Sequence, residues 1–258
     1  MWWIALLPTP ATPSPEAVLP LAWWALQWTP RVCLLDEAVL LEVAMSERLF
    51  GGRRALLQRL RAQAADAGAQ ALATAPTALA ALALLRQLDA AAGTSAAAGA
   101  EPAPLLPATG CGIRRLAATL DALPLVHLSA ARPHAPTLHQ LGCRTLGEVR
   151  ALPRDGLARR FGADLLNALD QAYGQRAGSH PWVSLPERFE HRLECPSAVE
   201  HAQGLLFGAQ RLLNALLAWL AARQSGVLAF TLHWEHDRVR RSELRGGQVA
   251  LRTAHATR

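Results

Sequence analysis

The chain of 258 residues contains no lysine and a single tyrosine, and all twenty-six of its basic residues are arginine. Alanine is abundant, so this bias reads as the mark of a GC-rich genome, and the number of arginines alone identifies no ligand. Cysteine is scarce. Cys33, Cys111, Cys143 and Cys195 stand far apart with no CxxC or CxxH, which argues against zinc and a disulfide framework and fits a reducing cytosol. The opening residues, MWWIALLPTP, are apolar but lack a basic flank, and Pro8 and Pro10 stop them early. They are too short for a membrane span and make a poor signal peptide. The expectation is a buried strand in a soluble, cytoplasmic protein.

What is present suffices for a core: 51% of the residues are hydrophobic and 18% charged, outside the range of disordered chains. The formal net charge of +6 is unevenly placed. Residues 1–143 carry a net +1 and residues 144–258 a net +5, so an acidic partner is expected to meet the second half.

Trp2 to Leu7 read as a strand, Glu16 to Trp28 as a helix, and Arg31 to Leu35 with Ala38 to Val43 as two strands around a polar turn at Asp36 and Glu37. Gly51 and Gly52 open an amphipathic helix with Leu56, Leu57 and Leu60 on one face. Ala69 to Ala75 is a strand and Ala78 to Leu88 a helix, so helices cover a sheet. Ala90 to Pro107 reads as a linker. Ile113 to Leu123 is a short helix, and Pro124 to His139 is irregular and broken by proline.

From Thr137 to Gly174 the pattern is helical and compact. Leu138 and Leu141 finish one helix, Gly142 permits a tight hairpin, and Thr145 with Glu148 forms a capping box that starts the next. This is a helix-hairpin-helix pattern. Leu157 to Phe161 and Ala163 to Tyr173 supply a second pair, pivoting at Gly162. Phe189 to Cys195 alternates as a half-buried strand. A capping box at Ser197 and Glu200 opens a long helix to Arg223, with Leu205, Leu212, Leu213, Leu216 and Leu220 inward. Leu228 to Trp234 gives another strand, and Leu244 to Thr253, turning through Gly246 and Gly247, supplies further pairing. The order is β-α-β-β.

Three groups of residues resemble a known family: Ala25 to Val32 with Leu40 to Val43, Arg48 to Gly52, and Leu141 to Val149 with Leu157 to Gly162 and Pro186 to Glu190. In this order they resemble the Y-family DNA polymerases, in particular their inactive, ImuB-type branch. The resemblance implies an α+β fold in three parts. Residues 1–106 would be a palm-like remnant with most of the fingers missing. Residues 107–185 would be a helical thumb with the helix-hairpin-helix, and residues 186–258 a partial little-finger domain of β-α-β-β order, cut short at Arg258. Polymerase chemistry needs carboxylates on adjacent strands to hold two metal ions. The opening strand has none, and the register of Asp36 and Glu37 against the family's Asp-Glu pair is offset. The resemblance therefore implies a protein that is not an enzyme, takes no metal or other cofactor, and acts in DNA repair as a scaffold for mutagenic translesion synthesis. Its implied partners are primer-template DNA, an error-prone replicative-type polymerase, a RecA-like ImuA protein and the sliding clamp.

The candidate DNA contacts are Gly142, Arg144 and Thr145 at the hairpin, Arg154, Arg159 and Arg160 in the next helix, and Arg238, Arg240 and Arg241 after the Trp234 strand. The N-terminus of the helix beginning at Thr145 would offer backbone N–H groups to a phosphate, and the arginines would neutralise its neighbours. Against these stand a purely structural hairpin and a solvated loop. Gln203 to Phe207 fits a loose clamp-ligand pattern but is better read as helix core, and Asp36 with Glu37 as a solvated turn. His233 and His236 cannot share a strand face, which disfavours zinc. Trp2, Trp3, Trp23, Trp24 and Trp28 read as core. Rival functions are an active but degenerate lesion-bypass polymerase, a simple helix-hairpin-helix DNA-binding module, and a decayed copy.

Overall fold

A computed structural model describes residues 1–9, 15–96, 108–194, 201–235 and 246–252. The fold is mixed α+β. Its centre is a five-stranded sheet in the order β2-β3-β1-β4-β5, made of β1 (Trp3–Pro8), β2 (Val32–Leu35), β3 (Ala38–Glu42), β4 (Ala69–Ala75) and β5 (Ala108–Gly110). All neighbours are antiparallel except β4 and β5.

The central strand β1 is buried on both faces, and successive side chains point to opposite sides of the sheet. Trp3, Ala5 and Leu7 enter one core with Leu40 and Ala73, while Ile4 and Leu6 enter the other with Val39, Leu41 and Leu72. The first core is closed by α3 (Ala78–Ala96) and by a run of short helices: α4 (Leu116–Asp121), α5 (Ala135–Gln140), α6 (Leu146–Ala151), α7 (Arg154–Phe161) and α8 (Ala163–Ala172). The second core is closed by Trp23 and Trp24 of α1 (Pro15–Ala25), Leu56 and Leu60 of α2 (Arg53–Ala64), and Ala215 and Ala218 of α9 (Ala202–Arg223). All five tryptophans of the N-terminal region are buried, as the sequence predicts.

Several boundaries differ from the sequence reading. Helix α3 runs on to Ala96, into the predicted linker, because its tail is rich in alanine, the best helix former. The irregular stretch after Pro124 is ordered as two 3₁₀ turns, Leu125–His127 and Ser129–His134, followed by α5. Residues 189–194 form no strand. The segment leading to them runs past the open edge of β2 instead. Val183 N–H donates to Val32 O at 2.7 Å, Trp182 stacks on Trp3 at 6.1 Å, and Phe189 meets Trp23 edge-on at 6.0 Å. Side-chain docking on the tryptophan-rich core takes the place of strand pairing, and the backbone at Trp182 bridges to Cys33. Cys195 and the Ser197–Glu200 box lie outside the described residues, and the N-cap position of α9 is His201, whose side chain makes no capping hydrogen bond.

Helix α9 packs against α1 through its second half, where Leu216 and Leu220 are buried. Its beginning points away: Leu205, Leu206 and Phe207 are exposed, against the expectation that the Gln203–Phe207 stretch is core. The segment Gln203–Arg223 is long and apolar enough to cross a membrane by length and composition. Strands β6 (Ala229–Glu235) and β7 (Gly246–Arg252) form an antiparallel ribbon. Gly246 and Gly247 lie in its ladder, opposite Glu235 and Trp234, and do not form a turn.

Candidate functional site

The acidic hairpin between β2 and β3 lies at the end of the sheet where β1 reaches Leu7 and Pro8. Asp36 turns the chain with φ +51°, a conformation that aspartate tolerates better than most residues. Its carboxylate and that of Glu37, each more than a third exposed, are also held from within. Arg86, from the middle of α3 and 9% exposed, reaches across. Its Nε donates to Glu37 Oε1 at 2.5 Å and its Nη2 to Asp36 Oδ2 at 2.7 Å and Glu37 Oε2 at 3.0 Å. Its Nη1 donates to the His127 carbonyl at 2.6 Å and Ser129 Oγ at 2.8 Å. Ser129 Oγ in turn donates to Asp36 Oδ2. Partial burial pushes both carboxyls up in pKa, but the hydrogen bonds from Ser129 and Arg86 to Asp36, and from Arg86 to Glu37, outweigh it and hold them below their ordinary values. His127 is shifted down by burial, with the positive charges of Arg86 and Arg132 acting in the same direction.

Asp36 and Glu37 do form a partly solvated turn, and they are also the anionic half of an ion-pair network that the sequence reading did not include. The sequence reasoning passed over Arg86. The signal was there, because it is the only charged residue between Ala69 and Leu88 in an otherwise apolar strand and helix. An arginine in such a setting has to bring acidic partners with it. Among the described residues no group of three or more His, Cys, Asp or Glu side chains is arranged to hold a metal ion. Glu42 sits at the far end of β3, buried and paired with Arg31 at 3.2 Å. Cys33 is fully buried, and burial drives its thiol up to about 11; His236 is outside the described residues.

The second candidate region is the hairpin between α5 and α6. Gly142 has φ +83°, the left-handed conformation that reverses the chain at little cost only for glycine. Thr145 caps α6 as its sequence predicts: Glu148 N–H donates to Thr145 Oγ1 at 3.3 Å, and the Glu148 carboxylate accepts from Arg144 N–H at 2.6 Å and Thr145 N–H at 2.9 Å. Leu146 N–H donates to Leu123 O at 2.9 Å. The N–H groups of Arg144, Thr145, Leu146 and Glu148 therefore already have acceptors, one of them a carboxylate. What the hairpin offers outward is the exposed Arg144.

Arg159 and Arg160 are exposed on α7, in the same helical unit. Arg154 is not available in the same way, because both of its terminal nitrogens are held by Asp170, at 2.9 and 2.7 Å. Arg238, Arg240 and Arg241 lie outside the described residues. In this helical unit Arg144, Arg159 and Arg160 are each exposed, while Arg154 is engaged by Asp170.

A five-stranded sheet between helical layers, followed by a unit of short helices, defines a mixed α+β protein. Over 176 residues the chain is 31% identical to Protein ImuB of Caulobacter vibrioides strain NA1000 / CB15N. Protein ImuB of Caulobacter vibrioides strain ATCC 19089 / CIP 103742 / CB 15 matches to the same extent. The matched stretch is 65% of this chain and 35% of either relative, so the match spans about a third of the length of the curated relatives. Over that stretch the chain is similar to ImuB, in keeping with the resemblance that its motifs carry. Two solved structures are also similar. The Dbh ternary complex (substrates partially disordered) has a TM-score of 0.46 at 12% identity, covering 96% of this chain and 70% of that one. DinB from Sulfolobus solfataricus has a TM-score of 0.43 at 13% identity, covering 93% and 66%. No family model matches the chain.

Proposed function

We propose that the protein is a non-catalytic, Y-family polymerase-like scaffold that holds DNA during mutagenic translesion synthesis. One observation carries the reading: the acidic pair at the end of the sheet, Asp36 and Glu37, is bound by the guanidinium of Arg86, and β1 beside it brings no carboxylate. Two-metal nucleotidyl transfer needs anionic oxygens free to clamp both ions. Here a side-chain cation already holds them.

In this reading residues 1–106 are a palm-like body, 107–185 a thumb with a helix-hairpin-helix, and 186–258 a partial little finger. Arg144, Arg159 and Arg160 grip phosphates without reading sequence, Gly142 and Thr145 shape the hairpin that presents Arg144, and Arg238, Arg240 and Arg241 extend the grip. Arg154 supports the unit through Asp170. Similarity to ImuB favours an error-prone replicative-type polymerase, a RecA-like ImuA protein and the sliding clamp as the proteins brought to that DNA, in the cytoplasm.

The rival reading, an active lesion-bypass polymerase, draws on the same pair, since Asp36 and Glu37 remain at the turn beside β1. Primer extension separates the two. With a primer-template, four deoxynucleotides and magnesium or manganese, the protein is expected to bind the DNA and add no nucleotide. Template-directed incorporation that disappears in an Asp36→Ala, Glu37→Ala double variant would overturn the scaffold reading.

A further inference from the structure

At the end of the sheet opposite the acidic hairpin, three strand ends come together. Met1 and Trp2 precede β1, Pro76 follows β4, and Gly112 to Arg115 follow β5, with Trp3 paired to Ala75 and Thr74 to Gly110. Between them lies an open cleft of about 630 Å³, completed by Arg53 from the start of α2. Met1 and Ile113 are 77% and 74% exposed on its rim. Arg114 and Arg115 are exposed, and among the described residues neither has an acidic partner. Of the acids near this end, Glu47 is committed to Arg53 at 2.7 Å, and the buried Glu42, paired across from Trp3, to Arg31 at 3.2 Å.

The chemistry of these walls selects the occupant. A single-stranded nucleic acid wants an open aromatic face for its bases, but the Trp2 ring is buried and the Arg53 guanidinium lies 4.0 Å over it. The apolar groups on offer are aliphatic. Uncompensated arginines beside aliphatic side chains fit carboxylates interspersed with an aliphatic or aromatic anchor, since guanidinium forks bind carboxylates bidentately and the anchor buries itself between them. We propose that this cleft docks an acidic peptide segment of a partner protein, with an apolar residue seated between Met1 and Ile113 and its carboxylates on Arg114 and Arg115. The proposal stands apart from the DNA-binding reading, which uses other arginines.

The test uses the full chain and three fluorescein-labelled probes in polarisation titrations at low salt. These are a twelve-residue peptide of aspartate and glutamate carrying two leucines and a phenylalanine, the same peptide with serines in place of those three, and a twelve-nucleotide single-stranded DNA. The apolar-bearing peptide is expected to bind at least tenfold tighter than its serine counterpart and to weaken as salt rises. An R114E/R115E variant, altered only at exposed positions, should lose binding tenfold or more. An R114K/R115K variant, which keeps the charge but not the bidentate fork, should fall between the parent and the charge reversal, and Ile113→Ser should lose the preference for the apolar-bearing peptide; circular dichroism checks that each variant is folded. The proposal is overturned if the two peptides bind alike, if the charge reversal leaves peptide binding unchanged, or if the reversal removes DNA binding and not peptide binding.

Discussion

A single guanidinium joins the sheet to the helices that follow it. Arg86 contacts the β2–β3 turn through Asp36 and Glu37 and the 3₁₀ turns after α4 through the His127 carbonyl and Ser129. Replacing it with methionine keeps the bulk in α3 but removes the guanidinium donor from Glu37, Asp36 and the His127 carbonyl, leaving Asp36 only Ser129. Breaking a buried pair costs more than a surface pair, yet these carboxylates are more than a third exposed. The expected loss is therefore about 2 kcal/mol, read as a fall in the urea midpoint with little change in slope. The pH dependence follows from the direction of the shifts. Asp36 and Glu37 titrate below their ordinary values of 3.8 and 4.5 in the folded protein. The stability they contribute is complete above those values and is lost as the pH falls through the lowered ones. Arg86→Met should flatten the acid limb of the stability curve. An unchanged limb would mean that the network does not stabilise the fold. The acidic pair was visible in the sequence while its partner was not, because the two are fifty residues apart and only the packing of α3 on the sheet joins them.

Among the elements, those defined by local chemistry were legible and those defined by docking were not. Strand β4 and the cap of α6 follow from a short apolar run and a four-residue capping box, signals contained within the element. The alternation from Phe189 looks like a strand, but that segment finds Trp23 and Trp219 to pack on instead. Tertiary contacts with distant tryptophans decide its form. The inward leucines expected along α9 hold for Leu216 and Leu220 and fail for Leu205, since periodicity gives a face but not how far a neighbouring helix covers it. Close approach between elements makes Gly147 a sharp test. Its place in α6 brings it against the end of α4, where an added Cβ would lie 2.8 Å from Asp121 Cβ and 2.9 Å from its carbonyl oxygen. These atoms are backbone or the Cβ fixed directly to it, and none can swing aside. Gly147→Ala should gain helix propensity but lose about 1–3 kcal/mol to overpacking, and it should disturb Tyr173, whose hydroxyl donates to Asp121 at 2.7 Å. A variant at least as stable as the parent in urea would show that the two helices have room to separate.

At the scale of the molecule, charge and burial divide the protein into a sheet-centred body that carries little net charge and a later half rich in arginine. Charge alone does not make a DNA grip, because an arginine already paired gives little to a phosphate. Arg154, held by Asp170, and Arg150, held by Asp121 at 2.9 Å, are engaged inside the helical unit, whereas Arg144, Arg159 and Arg160 point outward. The DNA-holding reading therefore makes a differential prediction. Each phosphate contact contributes roughly 0.9 to the slope of log affinity against log salt on duplex DNA. Replacing Arg144, Arg159 and Arg160 by alanine should lower that slope by roughly 3 if all three touch phosphates and should weaken binding equally for unrelated sequences. Arg154→Ala should leave the slope almost unchanged while lowering the urea midpoint, because it breaks an internal pair. Both quantities come from one anisotropy titration series on a primer-template duplex, repeated across salt concentrations. If the slope responds to Arg154 and not to the outward three, the helical unit presents a different face to the nucleic acid, and the grip must be sought elsewhere in the chain.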